Sequence, residues 1–118
     1  MSNGEVVAFT MRLRDGRVDD YRLRHDAIWP ELVLRLREAG VRDYRIYLDD
    51  NSGTLFAVMQ RSAAHSLDAL RDDPLMRRWW NMMADVLEAG ADGVPLQTWL
   101  TPVFVLPSLD DIRKGERR

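Results

Sequence analysis

A run of five turn-forming residues, Asp49-Asp50-Asn51-Ser52-Gly53, stands between two segments that alternate apolar and polar side chains. Residues 41–48 (VRDYRIYL) put Tyr44, Ile46 and Leu48 on one side and Asp43, Arg45 and Tyr47 on the other, and residues 54–60 (TLFAVMQ) run back. A two-residue period on both sides of a dense turn signal is the pattern of an antiparallel hairpin. The rest of the chain has to be arranged around that pair.

Residues 6–14 (VVAFTMRLR) alternate through Phe9, Met11 and Leu13 and predict a half-buried first strand, closed by Asp15-Gly16. Residues 17–25 read as a short helix. Trp29-Pro30 ends it, because proline lacks an amide donor and disfavours helical geometry at the residue before it. Pro30 then opens a second helical piece, with Leu32, Val33, Leu34, Leu36 and Ala39 as its apolar surface and Gly40 as its cap. After the hairpin, residues 62–71 predict a helix, and Asp73-Pro74 starts another as cap and first turn. The apolar side chains between Leu75 and Leu87 cover more than half of that helix, more than one sheet face can bury. Residues 90–95 form a loop and 96–106 contain the last strand, where Pro102 confines pairing to an edge or a strand start. The polar residues 108–118 are expected to be disordered or loosely attached.

The order strand, helix, strand, strand, helix, strand is that of an α+β, ferredoxin-like βαββαβ sheet with helices on one face. The surplus apolar surface is most simply covered by a second copy or by a ligand, and a homodimer is favoured. At 118 residues the chain is expected to form one domain, residues 1–107, with 108–118 as a polar C-terminal tail. Seventeen basic and nineteen acidic residues, net charge -2, give no bias toward nucleic acid or an anionic membrane. The absence of cysteine excludes disulfides, thiolate metal sites and a cysteine nucleophile. The start MSNGEVV lacks a basic, apolar leader, and no stretch reaches the eighteen or so apolar residues of a membrane span. A soluble, cytoplasmic protein is expected.

Site chemistry is densest in residues 21–31 (YRLRHDAIWPE). Tyr21 and His25 are four apart, so on a helix both project from one face and can act on the same small molecule. His25 is the one strong general acid or base, since imidazole titrates near neutrality; the same spacing also suits a surface or capping histidine. His65, in AAHSL, reads as an ordinary helix residue. Two distant histidines match no metal pattern, so no metal site is expected. The rings of adjacent Trp79 and Trp80 diverge by about 100° on a helix, so one is expected to anchor packing while the other lines a pocket, or both to meet a partner. Tyr44 and Tyr47 point to opposite sheet faces, and at most one can join His25. There is no glycine-rich phosphate loop and no serine elbow. These residues describe a small dimeric α/β domain with a Tyr-His pair and aromatic walls, and do not by themselves name a reaction.

Taken in order, YRLRHDAIWPEL (21–32), DYRIYLD (43–49), LFAVM (55–59), MRRWWNMMADV (76–86) after Pro74, and VFVLP (103–107) resemble the L-rhamnose mutarotases over nearly the whole domain. The resemblance implies a dimeric α/β barrel of ferredoxin-like subunits and interconversion of the α and β anomers of L-rhamnose or a related 6-deoxy sugar. It implies a monosaccharide substrate and neither a metal nor an organic cofactor. It puts the proton donor on His25 and the sugar contacts on Tyr21, Tyr44, Trp79 and Trp80. The family's Asn-Pro-Asp-Asn-Ser-Pro loop is here Gly90-Ala91-Asp92-Gly93-Val94-Pro95, which keeps Asp92 and Pro95; the change bears on which sugar is taken more than on the chemistry. Two other readings fit the same architecture: a cofactor-free dimeric-barrel monooxygenase and a ligand-binding barrel without turnover.

Overall fold

The computed structural model describes residues 4–116. Its elements are β1 (Gly4–Arg12), α1 (Val18–Asp26), α2 (Pro30–Glu38), β2 (Val41–Asp49), β3 (Thr54–Ser62), a short 3-10 helix (Leu67–Asp72), α3 (Pro74–Met83), β4 (Thr98–Trp99) and α4 (Leu109–Glu116). The four strands form one sheet in the order β2-β3-β1-β4, every neighbouring pair antiparallel. This is the ferredoxin-like α+β arrangement expected from the order of elements.

Register decides what each face carries. Phe9 lies opposite both Ala57 and Trp99, Met11 opposite Leu55, Ile46 opposite Ala57 and Tyr44 opposite Met59, so all of these side chains share one face. That face meets Leu32 of α2 and Leu75, Met76, Trp79 and Met83 of α3 in a single hydrophobic core. The opposite face stays open: Val6, Tyr47 and Phe56 are 64%, 55% and 41% exposed.

Local chemistry accounts for the tight connections. In the hairpin turn Asp49 accepts hydrogen bonds from the Asn51 amide (3.2 Å) and the Ser52 hydroxyl (2.8 Å), and Gly53 takes a φ of 72° that side chains disfavour. Gly40, at φ 111°, separates α2 from β2 where a Cβ would come within 2.9 Å of the His65 Cβ. His65 is a local brace there, its Nδ1 accepting from the Leu67 amide at 3.2 Å.

Four segments differ from expectation. The helix expected over residues 62–71 is instead the end of β3, which stays paired as far as Ser62, followed by one short 3-10 segment. Helix α3 stops at Met83, and Val86 and Leu87 are buried by backbone pairing: Glu88 N–H donates to Arg12 O, Arg14 N–H to Val86 O, and Leu87 bridges Leu13. The last strand shrinks to Thr98–Trp99, extended by one bond from the Leu100 amide to Ala8 O; Pro102 has no amide to continue it, and residues 103–106 are exposed. The tail, expected to be disordered or loosely attached, is helical from Leu109 to Glu116; residues 108–115 are all exposed, so the helix departs from disorder and not from loose attachment. Ser108 starts it, its hydroxyl accepting from the Asp111 amide (3.0 Å) while Asp111 accepts from the Ser108 amide (3.3 Å), a reciprocal cap. Residues 117–118 lie outside the described residues.

Candidate functional site

Helix α1 buries a single residue, Tyr21, and sets His25 one turn further along the same face. The His25 Nδ1 lies 3.1 Å from the Tyr21 carbonyl oxygen. A carbonyl only accepts, so Nδ1 carries the proton and the neutral ring keeps its free lone pair on Nε2. The two rings lie 4.2 Å apart. Because the Trp29-Pro30 break turns the chain away after α1, Trp29 returns against α3, edge-on to Trp79 at 5.3 Å. Trp79 also meets His25 edge-on, at 5.5 Å and 88°.

These rings border a hollow of about 490 Å³ between the helices and the covered sheet face. Tyr21 and His25 reach it from α1, Tyr44 from β2, and Trp79 and Trp80 from α3. All five predicted site residues therefore come together. Tyr47 stands on the open face, and His65 is elsewhere. The division of labour expected for the tryptophans does not hold: Trp79 is 6% exposed and packs in the core, yet it lines the hollow together with Trp80. Adjacent positions can share one hollow because it wraps around the helix side. A second hollow of about 340 Å³ meets the first at Tyr44, Trp80 and Gln97.

The electrostatics follow from enclosure. Burial pushes the Tyr21 phenol well above its ordinary pKa, with Tyr44 adding to the shift; desolvation of the phenol raises that of Tyr44 as well, although the residue as a whole is 37% exposed. Both stay protonated and can donate. The Tyr21 Oη is enclosed without a hydrogen-bond partner among the described residues. His25 is moved the other way: desolvation lowers its pKa below 6.5, against the opposing pull of the Tyr21 carbonyl and Asp26. Its resting form at neutral pH is the uncharged ring. Among the described residues no group of three His, Asp or Glu side chains could hold a metal ion, and no helix is long and apolar enough to cross a membrane.

At and behind the site, Gln97 and Asp85 carried no signal in the sequence, whereas Asp92 and Pro95 stood out as the retained positions of the changed loop. Gln97 reaches the hollow from the segment leading into β4. In the changed loop, Asp92 accepts from the Val94 amide (3.1 Å) and Arg71 (2.7 Å), and its carbonyl accepts from Arg77 (2.8 Å); this brings buried Pro95 to the wall of the hollow. Behind α1, Asp85 accepts two hydrogen bonds from Arg24, at 2.6 and 3.1 Å, and one from Arg17 at 2.9 Å. These partners are 61 and 68 positions away along the chain, beyond any local pattern.

Residues 6–106 match the family model described as L-rhamnose mutarotase. The chain belongs to the L-rhamnose mutarotase family. It is 52% identical over 103 residues to a protein of Burkholderia ambifaria named L-rhamnose mutarotase, covering 87% of this chain and 99% of that one. A protein of Jannaschia with the same name is 53% identical, with the same coverage. Among solved structures, the crystal structure of L-rhamnose mutarotase FA22100 from Formosa agariphila superposes with a TM-score of 0.80 at 35% identity, covering 87% of this chain and 99% of that chain. The family match ends at residue 106, so α4 lies beyond it.

Proposed function

We propose that the protein is an isomerase that interconverts the α and β anomers of L-rhamnose, with His25 moving the proton. The observation that carries the assignment of residues is the enclosed Tyr21 hydroxyl, without a hydrogen-bond partner among the described residues, beside a neutral imidazole whose proton on Nδ1 leaves the Nε2 lone pair available. A buried donor without an acceptor costs about 1–3 kcal/mol, and a sugar oxygen in the hollow would supply the missing acceptor. The names of the relatives, L-rhamnose mutarotase, support the choice of reaction and sugar.

Ring opening breaks the bond between the anomeric carbon and the ring oxygen, moves a proton off the anomeric hydroxyl and adds one to the ring oxygen. Nε2 of neutral His25 takes the first proton as the carbonyl forms, and the resulting imidazolium returns it to the ring oxygen. Both oxygens are bonded to one carbon, so a single nitrogen can serve them in turn. The open aldehyde rotates about its bond to the next carbon, and the same steps in reverse close the ring on the other face. Protons balance, and no other reagent enters. Tyr21 and Tyr44, held protonated, donate hydrogen bonds that fix the sugar, while Trp79 and Trp80 face its C–H surface. The apolar lining from Leu32, Leu36 and Ile46 suits the methyl group of a 6-deoxy sugar.

We further propose that residues 1–107 act as a cytoplasmic homodimer closed into an α/β barrel. The open sheet face and the exposed strand-like residues 103–106, 72–95% exposed, leave apolar surface that a second copy would cover. Saturation-transfer NMR tests the activity on L-rhamnose, L-fucose, L-lyxose and D-glucose. The expected result is anomer exchange far above the buffer rate, largest for L-rhamnose; exchange at the buffer rate for all four defeats the assignment.

A further inference from the structure

Resting on that reading of the site, we infer that Asp85 is a positioning residue for the reaction: through Arg24 and Arg17 it pins α1 to the end of α3 and holds the His25 ring at the hollow. Helix α1 has little else to hold it. It buries only Tyr21, its N-terminus has no side-chain cap, and Asp19 and Asp20 in its first turn lie on the surface. The apolar stripe that ordinarily seats a helix on the core is here reduced to Tyr21 and the partly buried Val18.

Charge takes its place. Arg24 grips both carboxylate oxygens of Asp85 and also donates to Met82 O at 2.7 Å. Arg17 adds a bond to the same carboxylate and one to Asp20, and Arg14 donates to Ala84 O at 3.0 Å. Three guanidinium groups thus surround the C-terminal end of α3, where the unpaired carbonyls carry partial negative charge. Bidentate pairing fixes direction as well as distance. The residue after Arg24 is His25, and three residues before Met82 is Trp79, so the clamp spans the two positions whose rings meet at 5.5 Å. Asp85 does not line the hollow and acts on the sugar only through α1. Misplacing a reacting group by about 1 Å can cost as much as 100-fold in rate, and without the clamp α1 has only Tyr21 and the partly buried Val18 against the core to resist such a shift.

The test compares wild type with Asp85→Asn, which keeps the shape and removes the charge, with Arg24→Lys, which keeps the charge and loses the fork, and with Glu88→Gln, which breaks the exposed Arg12–Glu88 pair away from the hollow. Anomer-exchange kinetics and the His25 Cε1–H resonance are read in each. Asp85→Asn is expected to lower kcat roughly tenfold or more with KM changed less than about threefold, and to move the His25 resonance. Arg24→Lys should fall between it and wild type, and Glu88→Gln should match wild type in both readouts. A loss of thermal stability in Asp85→Asn with kcat and the resonance unmoved means a purely structural ion pair and overturns the inference. So does a Glu88→Gln effect as large as that of Asp85→Asn. If wild type does not accelerate exchange, the functional reading fails by itself, and the resonance still decides whether Asp85 positions the ring.

Discussion

The two helices that build the site are anchored by opposite means. Helix α3 starts from Asp73, whose side chain accepts from the Leu75 and Met76 amides at 2.9 and 3.3 Å, and it buries Leu75, Met76, Trp79 and Met83. Helix α1 has no such cap and one buried side chain. The wall of the site is therefore set in hydrocarbon, while His25, the proposed proton carrier, rides on a helix tied down by surface charge. The face of α1 that turns Tyr21 and His25 toward the hollow gives only Tyr21 to the buried core, and the charged anchor lies on its flank. The difference implies that stability and activity can be separated at residues such as Met83, which is buried in α3 and does not line the hollow, and Tyr21, whose hydroxyl is proposed to meet the sugar.

The largest expected contrast comes from the hydrocarbon side. Met83 is 1% exposed and does not line the hollow, so Met83→Ala should cost about 2–5 kcal/mol in a denaturant titration while the exchange rate per folded molecule stays at the wild-type value. Tyr21→Phe should do the reverse. It removes a hydroxyl that has no partner among the described residues, so stability should hold or rise by about 1–3 kcal/mol while kcat/KM for L-rhamnose falls roughly tenfold. Equal losses of stability and rate in both variants would erase the distinction between the helices.

Smaller effects sharpen it. Asp73→Ala removes the cap of α3 and its ion pair with Arg35, and should lower the melting midpoint less than Met83→Ala does. The pH response should come from α1. The folded pKa of His25 lies below 6.5, so between that value and 6.5 the unfolded chain binds the proton and the folded chain does not; stability declines as pH falls through this window. The acid limb of kcat/KM should likewise lie below pH 6.5, as read from a pH–rate profile. The smallest effect is that of salt. The pairs of Asp85 are partly exposed, so raising ionic strength should lower kcat modestly in wild type and leave Asp85→Asn unresponsive.

How much of this was legible in the sequence depended on how local the cause was. The hairpin rests on Asp49 and Gly53 within its own turn, the start of α3 on adjacent Asp73 and Pro74, and the Tyr21–His25 pairing on a four-residue spacing; each was readable. Tyr44 rather than Tyr47 was constrained by strand alternation, which assigns them opposite faces. What escaped notice depended on distant partners. Val86 and Leu87 looked like the end of a helix because their apolar side chains continue its pattern, yet the free edge beyond β1 captures their backbone. Of residues 62–71, read as one helix from their own pattern, Ser62 is held in the β3 ladder and only the stretch from Leu67 is helical, as a short 3-10 segment. Asp85 is one acidic residue among nineteen, and nothing nearby in the chain marks it as the partner of Arg17 and Arg24.

The account depends most on His25 as the group that carries the proton between two oxygens of one sugar carbon. Saturation-transfer NMR on L-rhamnose with wild type and His25→Ala at equal concentration tests it most directly. The predicted result is a loss of about 10²–10⁴-fold in the catalysed exchange, with near-UV circular dichroism showing the fold intact. Wild-type exchange rates from a folded His25→Ala protein would contradict it.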